Sequence, residues 1–286
     1  MANIIFLGTG GGRLNLLRQI RRTGGFLIEI NSLRIAVDPG PGALSSLNEL
    51  QINPMSIDAI IITHNHIDHM LEAPLLIEAM SSYMLKKGGT LISAKSVVKG
   101  DKKGDRCITL YHQSKLSQNI IFGAGTGKKI LIEKKGKKIS FRLTGVKVKH
   151  DDEDGFGFVL EAGGKRIGYT SDTEYIPSFH DAAYEKADLL IANVIRPITD
   201  IIPGHLYGND AIKLLRAAKP KLCIMTHLGL KFLQKSPELE AARIEKESAV
   251  RTIAARDLFS YNLNSGKWGK YKKEKTKKDL QKKLAE

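Results

Sequence analysis

Residues Thr63-His64-Asn65-His66-Ile67-Asp68-His69-Met70 place three histidines and an aspartate within six consecutive positions, directly behind the apolar run Ile57-Asp58-Ala59-Ile60-Ile61-Ile62. The run is short and rich in β-branched residues, so it reads as a buried strand. The cluster then falls on the loop at the strand's C-terminal end. A solvated loop gains no packing from three imidazoles and a carboxylate. A pair of metal ions does use such groups, because both are ligands of first-row metals and the tight spacing aims them at one point. The fold must therefore offer a rigid strand end and bring other loops to the same edge.

The chain has 286 residues and 42% hydrophobic residues, enough for a substantial core and ordinary for a globular protein. No apolar run approaches the roughly 20 residues that span a bilayer. The opening Ala2-Asn3-Ile4-Ile5-Phe6-Leu7 reads as a first strand, not a signal peptide. Two cysteines far apart, Cys107 and Cys223, suit a reducing compartment. The expectation is a cytoplasmic protein with no membrane association. The net charge is +15, and the twenty residues from Lys267 onward carry +6 of it. Other basic clusters are Arg13, Arg18, Arg21 and Arg22, and the stretch Lys128 to Lys138. This balance fits a polyanionic partner such as nucleic acid, and equally a solvated, lysine-rich surface.

Strand-like runs alternate with turn signals along the chain. Asn3 to Leu7, Phe26 to Ile30, Arg34 to Val37, Ile139 to Val148, Leu189 to Val194 and Leu222 to Thr226 read as strands. Gly157 to Glu161 and Arg166 to Thr170 form a hairpin through Ala162-Gly163-Gly164-Lys165. Pro41 to Leu50, Glu72 to Leu85 and Asn209 to Ala218 have helical periodicity. Strands and outer helices in both halves predict a two-sheet sandwich with helices on its faces. Two glycine-rich stretches resemble phosphate loops and fail on inspection. In Gly8-Thr9-Gly10-Gly11-Gly12-Arg13 the third fingerprint glycine is replaced by Arg13. In Gly123-Ala124-Gly125-Thr126-Gly127-Lys128-Lys129 the leading glycine is Phe122 and the closing hydroxyl residue is Lys129. Both read as tight turns, and the first could still shape a loop facing substrate.

The His-x-His-x-Asp-His pattern resembles the metallo-β-lactamase superfamily, and the resemblance extends over most of the chain. Asp38 matches an aspartate that braces a metal-binding histidine, although a turn-capping role explains it equally well. His150, Asp172 and His227, each directly after a strand-like segment, match the remaining ligands. The resemblance implies that His64, His66 and His150 hold one metal, that Asp68, His69 and His227 hold the other, and that Asp172 bridges them with a hydroxide. The mixed imidazole and carboxylate set suits two zinc ions, with manganese or iron as alternatives. His205, in Pro203-Gly204-His205-Leu206-Tyr207 and 22 residues before His227, matches the proton donor of the tRNase Z branch and related cyclic phosphodiesterases. The opening Phe6-Leu7-Gly8-Thr9-Gly10 also looks like that branch.

Departures from that branch are equally visible. Only 22 positions separate His150 from Asp172, too few for the long arm with which tRNase Z enzymes grip tRNA. Asn193 stands where that branch has a glutamate bracing the acid histidine. Lys86 to Lys138 is the least family-like segment and could be an insertion near the cleft, contributing His112 and lysines, or an elaborated surface loop. Arg13, Arg18, Arg21 and Arg22 follow the first strand and could grip phosphates bidentately or simply face solvent.

These readings converge on an α/β fold, the metallo-β-lactamase αββα four-layer sandwich, with residues 1–266 as the hydrolase domain and 267–286 as a flexible basic tail. The expected function is a dinuclear metal-dependent hydrolase, a phosphodiesterase or nuclease in which hydroxide attacks phosphorus. Asp68 and His205 are its expected catalytic residues. The substrate would be RNA, single-stranded DNA or a small cyclic phosphate, and the family resemblance adds the expectation of a homodimer. The alternatives are a hydrolase of a lactone, thioester or other carbonyl substrate on the same fold, and a non-catalytic metal-binding protein.

Overall fold

The computed structural model describes residues 2–100, 104–198 and 201–272. In chain order the strands are β1 (Ala2–Phe6), β2 (Phe26–Ile30), β3 (Leu33–Val37), β4 (Ala59–Ile62), β5 (Thr90–Ser93), β6 (Gln118–Ile121), β7 (Gly127–Lys134) and β8 (Lys137–Lys147). They continue as β9 (Phe156–Ala162), β10 (Lys165–Tyr169), β11 (Leu189–Arg196), β12 (Leu206–Tyr207), β13 (Cys223–Thr226), β14 (Thr252–Ala254), β15 (Phe259–Asn262) and β16 (Trp268–Lys270). One sheet runs β16-β15-β1-β2-β3-β4-β5-β6. The other runs β14-β13-β11-β10-β9-β8-β7, with β12 paired to β11.

The residue patterns account for these positions. β4 pairs in parallel with β3 and β5 and is buried along its whole length, which is why Ile60, Ile61 and Ile62 run without polar interruption. Rings of the two sheets meet between them, with Phe26 and Tyr169 in edge contact at 5.1 Å. Helices Ala43–Glu49 and Ala73–Met80 cover the first sheet through Leu47, Leu76 and Ile77. Helices Pro177–Ala183, Gly208–Ala218 and Pro237–Ser248 cover the second, and Leu214, Leu215 and Ile244 form a separate core with Leu190, Val194 and Met225. The result is the expected four-layer αββα sandwich. The hairpin β9–β10 turns through Gly163 and Gly164, both at positive φ. Among the described residues no helix is long and apolar enough to cross a membrane.

Three expectations change. The helix predicted over Glu72 to Leu85 stops at Met80, because Ser82, Tyr83 and Met84 all take left-handed backbone angles. Among the described residues, Lys86 to Lys138 does not roof the cleft. Its apolar positions build β5, β6 and β7 into both sheets, and His112 faces Glu78 at 3.5 Å, away from the histidine cluster. The sandwich also does not end at residue 266. Trp268 pairs with Tyr261 and packs its ring 6.0 Å from Phe6, so β16 completes the edge of the first sheet. The remainder of the expected basic tail, from residue 273, lies outside the described residues.

Candidate metal centre

The strand ends of the two sheets meet at one edge, and the expected donors gather there. His64, His66, Asp68 and His69 follow β4. His150 follows β8, Asp172 follows β10 and His227 follows β13. Ligand atoms of His64, His66 and His150 lie within 4.8 Å of one another, as do those of Asp68, His69 and His227. Asp172 sits between the trios. Its Oδ2 is 3.3 Å from both His69 Nε2 and His227 Nε2, and 4.0 Å from His64 Nε2. His205 joins this shell, with Nε2 3.3 Å from the same oxygen.

The backbone is bent to make this possible. Asp38, Ser171 and His227 all take positive φ, which side chains other than glycine adopt at a cost and which concentrates at functional sites. Glycines provide room. A Cβ on Gly11 would lie 2.3 Å from the His227 ring, and one on Gly204, itself at φ +77, would lie 2.7 Å from His150 Nδ1. Gly11→Ala should therefore displace His227 and weaken metal binding by about 10–100-fold, as disturbed ligand supports do. Metal titration followed by mass spectrometry checks this, and unchanged affinity would remove the steric argument.

Three of the rings are turned by their far nitrogens. His69 Nδ1 faces Asp38 Oδ2 at 3.0 Å, His150 Nδ1 faces the Gly204 carbonyl at 2.9 Å, and His64 Nδ1 lies 3.1 Å from Thr63 Oγ1. The opposite nitrogens point inward. The Nε2 atoms of His64 and His69 are buried without a hydrogen bond, a costly arrangement that a cation would relieve. His150 Nε2 and His66 Nδ1 stand 3.1 Å apart, two ring nitrogens facing one site. This donor set fits divalent metal ions.

The ionisation pattern agrees. Burial alone would raise Asp172, yet His227 and His69 beside it hold its carboxyl well below the usual range. Asp68 is likewise held far below its ordinary value, against burial, by His69 and His227. Burial and the neighbouring His69 push His64 well below an ordinary imidazole and so favour its neutral, ligating form. Burial pulls His205 down, but Asp172 and the Pro203 carbonyl outweigh it and raise the group.

A cleft of about 880 Å³ opens over the cluster, lined by Gly11 to Leu16, Asn65 to Asp68, Lys149 to Asp151, Asp172 and the 202–205 loop, with Arg196 on its wall. Among the described residues, none from Lys86 to Lys138 lines it. Of the four arginines expected near substrate, only Arg13 does. Arg18 is exposed and lies outside the lining. Arg21 donates to Thr9 and the Ala255 carbonyl, and Arg22 to Ser46 and Glu49, so both tie down the loop after β1. Asn193 does not touch His205. Its Nδ2 donates to Asp172 Oδ1 at 2.7 Å and to the Tyr169 hydroxyl at 3.1 Å. His205 is instead oriented through Nδ1 by the Pro203 carbonyl at 3.0 Å. Glu174 holds its loop by accepting from Gly204 N at 3.0 Å while pairing with Lys149 at 2.6 Å. Sequence reading had no means of finding Glu174, whose partners are a backbone amide and a surface lysine.

A four-layer sandwich with histidines and aspartates gathered at one edge defines a metal-dependent hydrolase. The family model of the β-lactamase superfamily domain matches residues 33–228. The chain belongs to the metallo-β-lactamase superfamily. It is 39% identical over 267 residues to the uncharacterized protein MJ1374 of Methanocaldococcus jannaschii, covering 93% of this chain and 96% of that one. It is 25% identical over 319 residues to ribonuclease Z of Thermococcus kodakarensis, covering 94% of this chain and 97% of that one. The metallo-β-lactamase fold protein YhfI of Bacillus subtilis superposes with a TM-score of 0.72 at 20% identity, covering 91% of this chain and 98% of that one.

Proposed function

We propose that the protein is a dinuclear metal-dependent phosphodiesterase, a nuclease of the tRNase Z type. His64, His66 and His150 would hold one divalent ion, Asp68, His69 and His227 would hold the second, and Asp172 lies within reach of both trios. The set suits zinc. Bound there, two such ions supply a water nucleophile at neutral pH and neutralise charge on phosphate oxygens. The remaining work belongs to the chain's own groups. Asp68, kept ionised by His69 and His227, would accept a hydrogen bond from the attacking water and so orient it, the water's proton passing to solvent. Arg13 and Arg196 bring positive charge to the cleft. His205, steadied by the Pro203 carbonyl, gives the proton on Nε2 to the leaving oxygen.

The observation that carries this reading is the position of His205. A metal trio alone suits many hydrolases, whereas an imidazole 3.3 Å from the shared carboxylate supplies the acid that an alkoxide leaving group needs. The similarity to ribonuclease Z supports the same substrate chemistry. Metal-loaded protein should hydrolyse bis-p-nitrophenyl phosphate and leave a simple lactone intact. Lactone turnover without diester turnover transfers the assignment to carbonyl hydrolysis.

Chelation should abolish diester turnover and lower the melting temperature, because ions that bind only the folded chain stabilise it by about 2.7 kcal/mol at a hundredfold excess over Kd. Thermal scans with and without chelator check this. An unchanged midpoint would mean that the histidine cluster binds no metal.

A further inference from the structure

The second sheet ends in a hairpin whose outer face is open. In β7 and β8 the inward side chains Ile130, Ile132, Phe141 and Leu143 are buried against the first sheet. Side chains alternate along a strand, so the intervening residues face outward. There Lys129 stands directly across from Arg142, Leu131 across from Ser140, and Glu133 across from Lys138. Lys129, Leu131, Glu133, Lys138 and Arg142 are all exposed, as are Lys128, Lys135 and Lys137 beside them.

Like charges directly opposite each other in an antiparallel pair are destabilising, and Lys129 with Arg142 is such a pair. The nearest carboxylate does not resolve it. Glu161 is 4.0 Å from Arg142 and is engaged at 2.6 Å by Arg166. Glu133 faces Lys138, so the unbalanced positive charge of the face sits on Lys129 and Arg142. Folding alone gains nothing from this arrangement, whereas a row of phosphates would relieve it.

The strand itself runs toward the cleft. Beyond Arg142 the outer face is covered at Val146, and β8 continues to Lys147 on its other face, followed by Lys149, paired with Glu174, and His150 at the metal centre. At about 3.3 Å per residue, Lys138 to Lys149 extends roughly 35 Å, far longer than a small cyclic phosphate.

We propose that the outer face of the β7–β8 hairpin is a docking surface for the phosphate backbone of single-stranded nucleic acid that the metal centre cleaves. The cleavage step rests on the phosphodiesterase reading above, whereas the docking rests on the strand register and the charge.

The test uses the full-length, metal-loaded protein with three readouts: anisotropy of labelled 20-nucleotide RNA, anisotropy of DNA of the same sequence, and turnover of bis-p-nitrophenyl phosphate. The variant Lys129→Ala/Lys138→Ala/Arg142→Ala should bind both oligonucleotides at least tenfold more weakly. It should also reduce the slope of log affinity against log salt by about 2, since each single-strand phosphate contact contributes roughly 0.7. Turnover of the small diester should stay at the wild-type level. The comparison variant Lys186→Ala/Lys235→Ala/Lys246→Ala removes the same charge elsewhere and should bind as wild type.

Unchanged affinity and slope in the hairpin variant, or equal weakening in both variants, would overturn the proposal. Weakening confined to RNA would also overturn it, since it would point to recognition of the 2′-hydroxyl. If wild-type protein binds oligonucleotide through the hairpin yet hydrolyses no diester, the phosphodiesterase reading falls and the docking surface stands.

Discussion

Replacing His205 by alanine should slow cleavage of a short RNA by about 10²–10⁴-fold, the range that general acids contribute, while bound metal stays unchanged. The same variant should lose far less on bis-p-nitrophenyl phosphate. A nitrophenolate departs without help, whereas a ribose alkoxide must be protonated as the bond breaks. The contrast between the two substrates separates proton donation from support of the metal ions. His205 shares the Asp172 carboxylate with His69 and His227, so a structural role is a real competitor. Equal losses on both substrates, accompanied by loss of metal, would reassign His205 as a ligand or a support.

The second large effect should come from Asp38→Ala. This carboxylate is 1% exposed and accepts from Thr63 N at 2.8 Å, Thr63 Oγ1 at 2.7 Å and the Tyr169 hydroxyl at 2.9 Å, while facing His69 Nδ1 at 3.0 Å. Truncation would leave several buried donors without an acceptor, each costing about 1–3 kcal/mol. Alanine is also disfavoured at the φ of +47 that Asp38 adopts. The expected destabilisation is about 3–5 kcal/mol, comparable with breaking a buried ion pair and measured by urea denaturation of the chelated protein. Asp38→Asn keeps the left-handed conformation and one acceptor, so it should cost clearly less. A loss below about 1 kcal/mol for alanine would show that the Asp38 network does not hold the two sheets' strand ends together.

What could be read from residues alone follows a physical division. Each candidate donor follows a strand-like segment, and a strand's end is the point at which a pattern of period two stops. Donor positions were therefore legible one by one, and their order suggested that they meet. Directions of side chains were not. Arg21 and Arg22 carry the same charge as Arg13, and only the fold decides that they brace a loop while Arg13 reaches the cleft. Asn193 was assigned to the histidine it was expected to brace, yet its amide donates to Asp172, a contact that chain spacing cannot reveal. β16 was hidden because its neighbours are lysines, although Trp268 packs between Phe6 and Phe259. In Lys86 to Lys138, lysines flanking buried residues such as Ile130 and Ile132 disguised ordinary edge strands.

The pairing of β1 with β15 has a consequence for synthesis. Asn3 lies opposite Asn262, so β1 sits between β2 and a strand synthesised 259 residues after it. At about 5–20 residues per second, β1 waits roughly 15–50 s with one edge unpaired. An exposed strand edge is a template for pairing with other chains. The nascent chain is therefore most open to aggregation while still being translated. Deletions that remove β15 and β16 should harm its soluble yield more than their small contribution to the finished core would suggest.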